Sequence, residues 1–135
     1  MPDTTAQPCP CGKSKTYGDC CYRFISGKSL PKTPEQLMRS RYSAYAQGGL
    51  GGYLLKTWFP FTARGLSADD LSQRKYRWVK LVILNRQQSG DEGTVEFKAY
   101  HRPLDDDEAP EEVLHEVSEF RRISGVWLYV GAQVN

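Results

Sequence analysis

The first long run of regularly spaced hydrophobic residues predicts a helix in the segment EQLMRSRYSAYAQ. Its apolar and aromatic side chains recur three or four positions apart, as on one face of a helix. These residues are Leu37, Met38, Tyr42, Tyr45 and Ala46. Thr33 can cap the N-terminus of this helix, Pro34 suits its first position, and Gln36 completes a capping box. Shorter helices are predicted over residues 50–57 and 67–71.

The second half of the chain has the composition and spacing of strands. Residues 76–84 are rich in Val, Ile and aromatic side chains, and residues 94–101 alternate between apolar and polar. Two more strands are predicted at 113–122 and 126–130. Because the helices come first and a meander of strands follows, we expect an α+β fold, with helices packed on one face of a strongly curved antiparallel sheet.

Composition and charge exclude several classes of protein. The 135 residues are 39% hydrophobic and 25% charged, with a net charge of +2, which is ordinary for a globular domain and too small to indicate nucleic-acid binding by itself. No apolar run reaches the roughly 18 residues that a membrane span needs. The N-terminal segment shows no apolar signal region, which predicts a cytoplasmic protein. The acidic run at 105–112 is interpreted as a solvated loop.

All four cysteines lie within the thirteen residues CPCGKSKTYGDCC, as Cys9, Cys11, Cys20 and Cys21. Two disulfides are the alternative, but a bridge between the adjacent Cys20 and Cys21 would strain the backbone, and crossed bridges suit a secreted protein better. Two short pairs separated by a turn can supply the four soft ligands of a tetrahedral zinc ion. The sequence therefore predicts one bound zinc.

Four cysteine ligands would leave the zinc no position for water or substrate, so its role is predicted to be structural. A segment this short buries little apolar surface, and metal binding would supply most of its folding free energy. The polar connector SGKSLPKTP follows it. We expect two units, a zinc knuckle over residues 1–27 and a second domain over residues 33–135.

The cysteine segment resembles the SEC-C motif, the zinc-binding tail of the SecA translocation ATPase, which typically reads C-x-C-G-S-G-K-K-x-x-x-C-C. Gly12, Lys15 and Tyr17 fit that pattern, whereas Lys13-Ser14 stands where Ser-Gly is usual. In SecA the motif contacts the SecB chaperone and the ribosome. The resemblance implies a docking module whose partner is a macromolecule such as a ribosome, a chaperone or a secretion component.

Three longer stretches resemble the YchJ family of small bacterial proteins: LMRSRYSAYA (37–46), YLLKTWFP (53–60) and EVSEFRRISGVWLYV (116–130). Together with the cysteine segment they span most of the chain. The resemblance implies a nuclear transport factor 2-like, cystatin-like cone in which helices close over a bent sheet. It implies no particular activity.

The chain departs from the family at two positions that could carry chemistry. Many members read TWHP where this chain has Thr57-Trp58-Phe59-Pro60, and YxDG or similar where it has Tyr129-Val130-Gly131-Ala132. A candidate imidazole and a candidate carboxylate are therefore absent. These departures weigh against an enzyme.

A cone of this kind often holds a pocket between its helices and its sheet. The residues predicted to bind a ligand there are Arg41, Tyr45, Trp58, His101, Glu116 and Ser118. Arg41 lies on the apolar helix, and a buried guanidinium needs a partner, for which Glu116 is the natural candidate. A structural ion pair between helix and sheet is favoured over a ligand-binding pair. No catalytic residue is assigned.

Two hypotheses for function follow from the sequence. The favoured one is a zinc-binding docking protein that contacts its macromolecular partner through the knuckle. The alternative is an enzyme or a small-ligand-binding protein that uses the cone pocket. The chain itself is expected to be a monomer or a homodimer, without membrane insertion.

Overall fold

The computed structural model describes residues 4–134, so the ends of both predicted units, residues 1–3 and 135, lie outside the described residues. The α-helices of this part are α1 Tyr22–Ile25, α2 Pro34–Gln47, α3 Gly51–Lys56 and α4 Ala68–Leu71, and the strands are β1 Tyr76–Ser89, β2 Glu92–Pro103, β3 Glu112–Ile123 and β4 Val126–Val134. Two short 3₁₀ helices, Thr4–Ala6 and Tyr17–Asp19, precede them. The predicted α+β class is confirmed.

Helix α2 begins where the sequence predicted, and its N-terminus is capped by side chains. The Oγ1 atom of Thr33 accepts a hydrogen bond of 3.1 Å from the backbone N–H of Gln36. In a capping box the Gln36 side chain would accept a hydrogen bond from the backbone N–H of Thr33. Here its Oε1 atom accepts instead from the backbone N–H of Lys32, one residue earlier, at 2.7 Å. Gly48 ends the helix with a φ of 75°, a conformation that glycine adopts without strain.

Replacing Thr33 with alanine is expected to destabilise the chain by about 1 kcal/mol, because the first turn of α2 loses its side-chain acceptor. The melting temperature should fall by roughly 4 °C. Thermal unfolding followed by circular dichroism measures this change. Thr33→Ser keeps the hydroxyl and serves as the control. A Thr33→Ala protein that melts with the Thr33→Ser protein would show that the cap does not stabilise α2.

The four strands form one antiparallel meander in the order β1-β2-β3-β4. Strand β1 extends five residues beyond its predicted end at Leu84, and β2 begins at Glu92, so that a tight turn joins them. Extra residues at Val79 and Leu84 interrupt the register between β1 and β2. Such bulges bend and twist a strand, which adds to the curvature that closes the sheet around a helix.

The inner face of the sheet packs against α2. Alternate residues of β2 are buried, as the predicted period of two requires: Val95, Phe97, Ala99 and His101. They form a core with apolar residues of the helix and of the other strands, namely Leu37, Met38, Tyr42, Leu81, Phe120 and Trp127. This packing holds α2 across the sheet and fixes the direction in which its polar side chains point.

The segment that follows α3 pairs with the outer edge of β4 at Tyr129. The N–H of Tyr129 donates to the carbonyl oxygen of Thr57 at 2.8 Å, and the N–H of Phe59 donates to the carbonyl oxygen of Tyr129 at 2.7 Å. Trp58 thereby forms a short parallel bridge with Tyr129. These two hydrogen bonds bring the end of α3 next to the inner face of the sheet.

Helix α2 lies inside the molecule rather than on its surface. Five consecutive residues, Ser40 to Ala44, are buried, so the helix is covered on more than one side. It contacts α1 and α3 as well as β1, β2 and β4. The four cysteines belong to the same hydrophobic core as Leu37, Met38 and Tyr42 of this helix. The cysteine segment therefore shares one core with the cone.

Among residues 4–134, none of the helices combines the length and the apolar character needed to cross a lipid bilayer. The longest, α2, has 14 residues and carries charged side chains.

Candidate functional site

The four cysteine sulfurs converge on one point. Every Sγ atom lies within 4.8 Å of the other three, and the Sγ atoms of Cys11 and Cys20 are 3.7 Å apart. A metal ion with Metal–S bonds of about 2.3 Å in a tetrahedron separates its sulfur ligands by about 3.8 Å. All four side chains are buried, and all four are free thiols. The donor set and its spacing fit a four-coordinate metal ion.

Backbone hydrogen bonds place the two cysteine pairs next to each other. The N–H of Cys9 donates to the carbonyl oxygen of Lys15 at 3.0 Å, which closes the turn after the first pair. Gly12 reverses the chain in this turn with a φ of 88°. The second pair follows the 3₁₀ helix at Tyr17, where the N–H of Cys20 donates to the Tyr17 carbonyl oxygen at 3.1 Å.

The α2 helix supplies the second layer around the sulfurs. The Nη1 atom of Arg39 donates to the carbonyl oxygen of Cys11 at 2.8 Å, and the Oγ atom of Ser43 lies 3.7 Å from the Sγ atom of Cys9. Arg39 is itself held by Glu35 at 2.8 Å, one helical turn earlier. Contacts of this kind orient metal ligands, and here they also attach the cysteine segment to the cone.

The four cysteines lie close enough together to shift one another's pKa values. Burial raises the pKa of Cys20 to about 12, and the nearby charge on Cys11 adds to the rise. A hydrogen bond with Cys11, together with burial, also raises the pKa of Cys21, whereas hydrogen bonds from Cys11 and Cys21 lower the pKa of Cys9. Four thiolates do not share one buried site without a cation. Four protein ligands would fill a tetrahedral ion and leave no position for a substrate.

A second feature is a cavity of about 220 Å³ between α2 and the inner face of the sheet. Four of the six residues predicted to bind a ligand line it: Arg41, Tyr45, Glu116 and Ser118. Trp58 and His101 are not among its lining residues. Most of the remaining wall is apolar or aromatic.

Arg41 is buried, with 4% of its surface exposed, but it does not pair with Glu116 as predicted. Its Nη1 atom donates to the carbonyl oxygen of Leu54 and to the Oγ1 atom of Thr57, each at 2.7 Å. The end of α3 thus supplies the acceptors that were expected from the sheet. Sequence reasoning missed Thr57, because a hydroxyl in a helical segment carries no signal of the side chain it will meet.

Aromatic rings cover the same guanidinium. Its central carbon lies 4.8 Å from the ring centre of Trp58 and 4.5 Å from that of Tyr129. Burial lowers the pKa of Arg41, and it raises the pKa of Glu116. The side chain of Glu116 forms neither a hydrogen bond nor an ion pair with another described residue, although burial and the charge of Glu116 together raise the pKa of Tyr45 and of Tyr129.

The two histidines lie apart from Arg41. His101 is buried at the end of β2 against the rings of Tyr76 and Trp78, and its Nδ1 has no hydrogen-bond partner among the described residues. His115 lies on the opposite face of the sheet, where its Nε2 is 2.8 Å from a carboxylate oxygen of Glu96. The three residues His101, Glu116 and Arg41 do not converge on one point of the cavity.

The cysteine cluster and the cone both match known proteins. The family described as "YchJ, middle NTF2-like domain" matches residues 33–132. This chain belongs to the YchJ family. The match covers the cone and begins at Thr33, the residue that caps α2.

Relatives of this YchJ-family chain extend the likeness to the cysteine segment. A UPF0225 protein of Corynebacterium glutamicum is 39% identical over 127 residues, which cover 94% of this chain and 97% of that protein. A UPF0225 protein of Streptomyces coelicolor is 40% identical over 129 residues, covering 93% of this chain and 94% of that protein. The alignments therefore span nearly the whole of both chains.

Two solved structures have the same fold as this YchJ-family chain. The solution structure of a SEC-C motif containing protein from Rhodopseudomonas palustris superposes with a TM-score of 0.83 at 33% identity, covering 94% of this chain and 98% of that one. The crystal structure of a SEC-C motif containing protein from Psychrobacter arcticus gives a TM-score of 0.80 at 26% identity, covering 98% and 85%. The predicted family and its SEC-C motif are confirmed.

Proposed function

We propose that this protein is a docking protein, in which one structural zinc ion shapes the cysteine segment so that its exposed turn contacts a macromolecular partner. Four thiolate donors at tetrahedral spacing suit Zn²⁺ better than a hard, oxygen-preferring ion such as Mg²⁺. Reduced, buried thiols also suit the cytoplasm, where disulfides are rare. With its four positions filled by sulfur, the ion would hold the segment together and carry out no reaction.

The observation that supports docking is the exposed turn between the two buried cysteine pairs. Residues 12–16 are all exposed, although the cysteines on either side of them are buried. This turn carries Lys13 and Lys15 and no acidic residue. A rigid turn with two cations at its tip suits an acidic surface, such as ribosomal RNA or an acidic face of a chaperone or secretion component.

Reversing the charge of this turn should weaken docking while the four cysteines stay in place. For Lys13→Glu with Lys15→Glu we expect at least about tenfold weaker binding to the partner, since each lost contact to an anionic surface costs about 1 kcal/mol and the new carboxylates repel it. Co-sedimentation with purified ribosomes measures one partner class. Capture from a lysate cleared of ribosomes measures the protein partners.

The matched control reverses two exposed charges elsewhere, with Lys56→Glu and Arg64→Glu. Both residues are exposed and lie outside the cysteine segment, so this variant has the same net charge as the first. Zinc content and melting temperature should equal those of the wild type in both variants. Equal loss of binding in the two variants would show that binding depends only on the net charge of the protein, and it would contradict docking through the turn.

A further inference from the structure

The cone contains a buried positive charge that no carboxylate of the described residues neutralises. Arg41 forms no ion pair among them, and the groups that accept hydrogen bonds from it are neutral: the carbonyl oxygen of Leu54 and the hydroxyls of Thr57 and Tyr45. A buried cation is expensive unless an anion accompanies it. The rings of Trp58 and Tyr129 offset part of that cost, because the faces of aromatic rings carry partial negative charge.

The cavity beside Arg41 provides space for the missing anion. Its volume of about 220 Å³ corresponds to roughly seven water molecules at about 30 Å³ each, so it admits a molecule with a single ring but not one of drug size. Flat side chains line much of it, including Tyr42, Trp78 and Phe97. A planar, apolar body fits between such walls better than a hydrated inorganic ion does.

The sheet contributes a second polar anchor to the same cavity. Glu116 and Ser118 lie two residues apart on β3 and both line it, whereas Arg41 reaches it from α2. The side chain of Glu116 forms no hydrogen bond with another described residue, so its carboxyl group can accept a hydrogen bond from a ligand. The cavity thus offers a cation on its helix side and a hydrogen-bond acceptor on its sheet side.

We propose that this cavity binds a small aromatic carboxylate that carries a hydroxyl group. The carboxylate pairs with the guanidinium of Arg41, the ring lies among the aromatic side chains, and the hydroxyl donates to Glu116. Arginine suits this role because its planar fork matches the two oxygens of a carboxylate. The site lies in the cone and does not depend on docking by the cysteine segment.

The test uses the full-length, zinc-loaded protein and two pairs of probes. Benzoate and 4-hydroxybenzoate are each compared with the matching carboxamide by isothermal titration calorimetry. We expect 4-hydroxybenzoate to bind at least tenfold more tightly than 4-hydroxybenzamide and more tightly than benzoate. If neither acid binds at concentrations up to about 10 mM, or if each acid and its amide bind equally, the proposal is wrong.

Two variants locate the binding. Arg41→Gln should remove the preference for acid over amide, whereas Arg64→Gln, which removes an exposed arginine, should keep it. Ala99→Leu fills the cavity from the sheet and leaves Arg41 in place, so it should abolish binding of all four probes. Because Arg41 is buried, its variant could unfold, and Ala99→Leu then decides. Unchanged binding in a folded Ala99→Leu protein would place the probes elsewhere and overturn the proposal.

Discussion

Removing the proposed zinc ion from the four-cysteine site is expected to lower the melting temperature of the whole chain by about 15 °C. Structural zinc contributes on the order of 10 kcal/mol to small zinc peptides, and a loss of about half that amount shifts the melting point of a chain this long by that much. The loss extends beyond the cysteine segment, because the cysteines share one hydrophobic core with Leu37, Met38 and Tyr42.

Chelation should therefore expose one side of α2. Without the ion, the cysteine segment has only short helical turns and a few contacts to hold it, among them those of Arg39 and Ser43. Once it detaches, the apolar side chains of α2 that pack beside the cysteines become exposed to water. A two-unit arrangement with independent stabilities would instead leave the cone unchanged.

Calorimetry with and without a zinc chelator measures this effect, with metal content determined in parallel by elemental analysis. Adding one equivalent of Zn²⁺ should restore the original melting temperature, and Mg²⁺ should not. Amide chemical shifts show where the change occurs. Shifts confined to residues 9–21, together with an unchanged melting temperature, would show that the cone folds independently of the metal.

The second large effect is expected for Gly51→Ala. Gly51 begins α3 at a point where the backbone of α4 passes against it, and an added methyl group would overlap the carbonyl oxygen of Ala68. The N–H of Gly51 also donates to the Oγ atom of Ser72 at 2.9 Å, so the two segments cannot separate freely. Overpacking of this kind costs about 3 kcal/mol, or roughly 10 °C in melting temperature.

The neighbouring residue is a matched control. Gly52 lies in the same helix, and a methyl group added there meets open space. Gly52→Ala is expected to leave the stability unchanged or to raise it by up to about 1 kcal/mol, since alanine is the better helix former. Equal melting temperatures for the two variants would show that α3 and α4 do not pack as the structure describes.

Local patterns predicted helices α2, α3 and α4, the four strands and the cysteine cluster, whereas the short helix α1 was not predicted. Thr33, Pro34 and Gln36 mark the start of α2 because caps act within one helical turn. The alternation at Val95, Phe97 and Ala99 is buried as predicted, since the period of a strand depends only on its backbone. The four cysteine side chains converge because a short turn suffices to join the two pairs.

Contacts between distant elements could not be predicted in this way. The hydrogen-bond partner of Arg41 was expected on β3, but Thr57, the residue that follows α3, provides it. The way α2 packs between α3 and the sheet determines which of the two elements Arg41 meets, and the sequence does not show this packing. Strand β1 continues through the polar residues 85–89 because β2 supplies backbone partners there. Likewise, nothing in the sequence indicated that Ser43 of α2 would lie beside a cysteine sulfur.

The bridge between Trp58 and Tyr129 has a consequence for how copies of this protein behave at high concentration. A sheet can grow into a fibril when a strand of another molecule pairs with an edge strand whose backbone amides form a straight, unpaired row. At the β4 edge, residues 57–59 already pair with Tyr129 in the middle of the strand, and at the β1 edge the bulges at Val79 and Leu84 interrupt the row. Several valine and leucine side chains of β1 are exposed, but the edge beside them does not present a straight row of amides with which a strand of another molecule could pair.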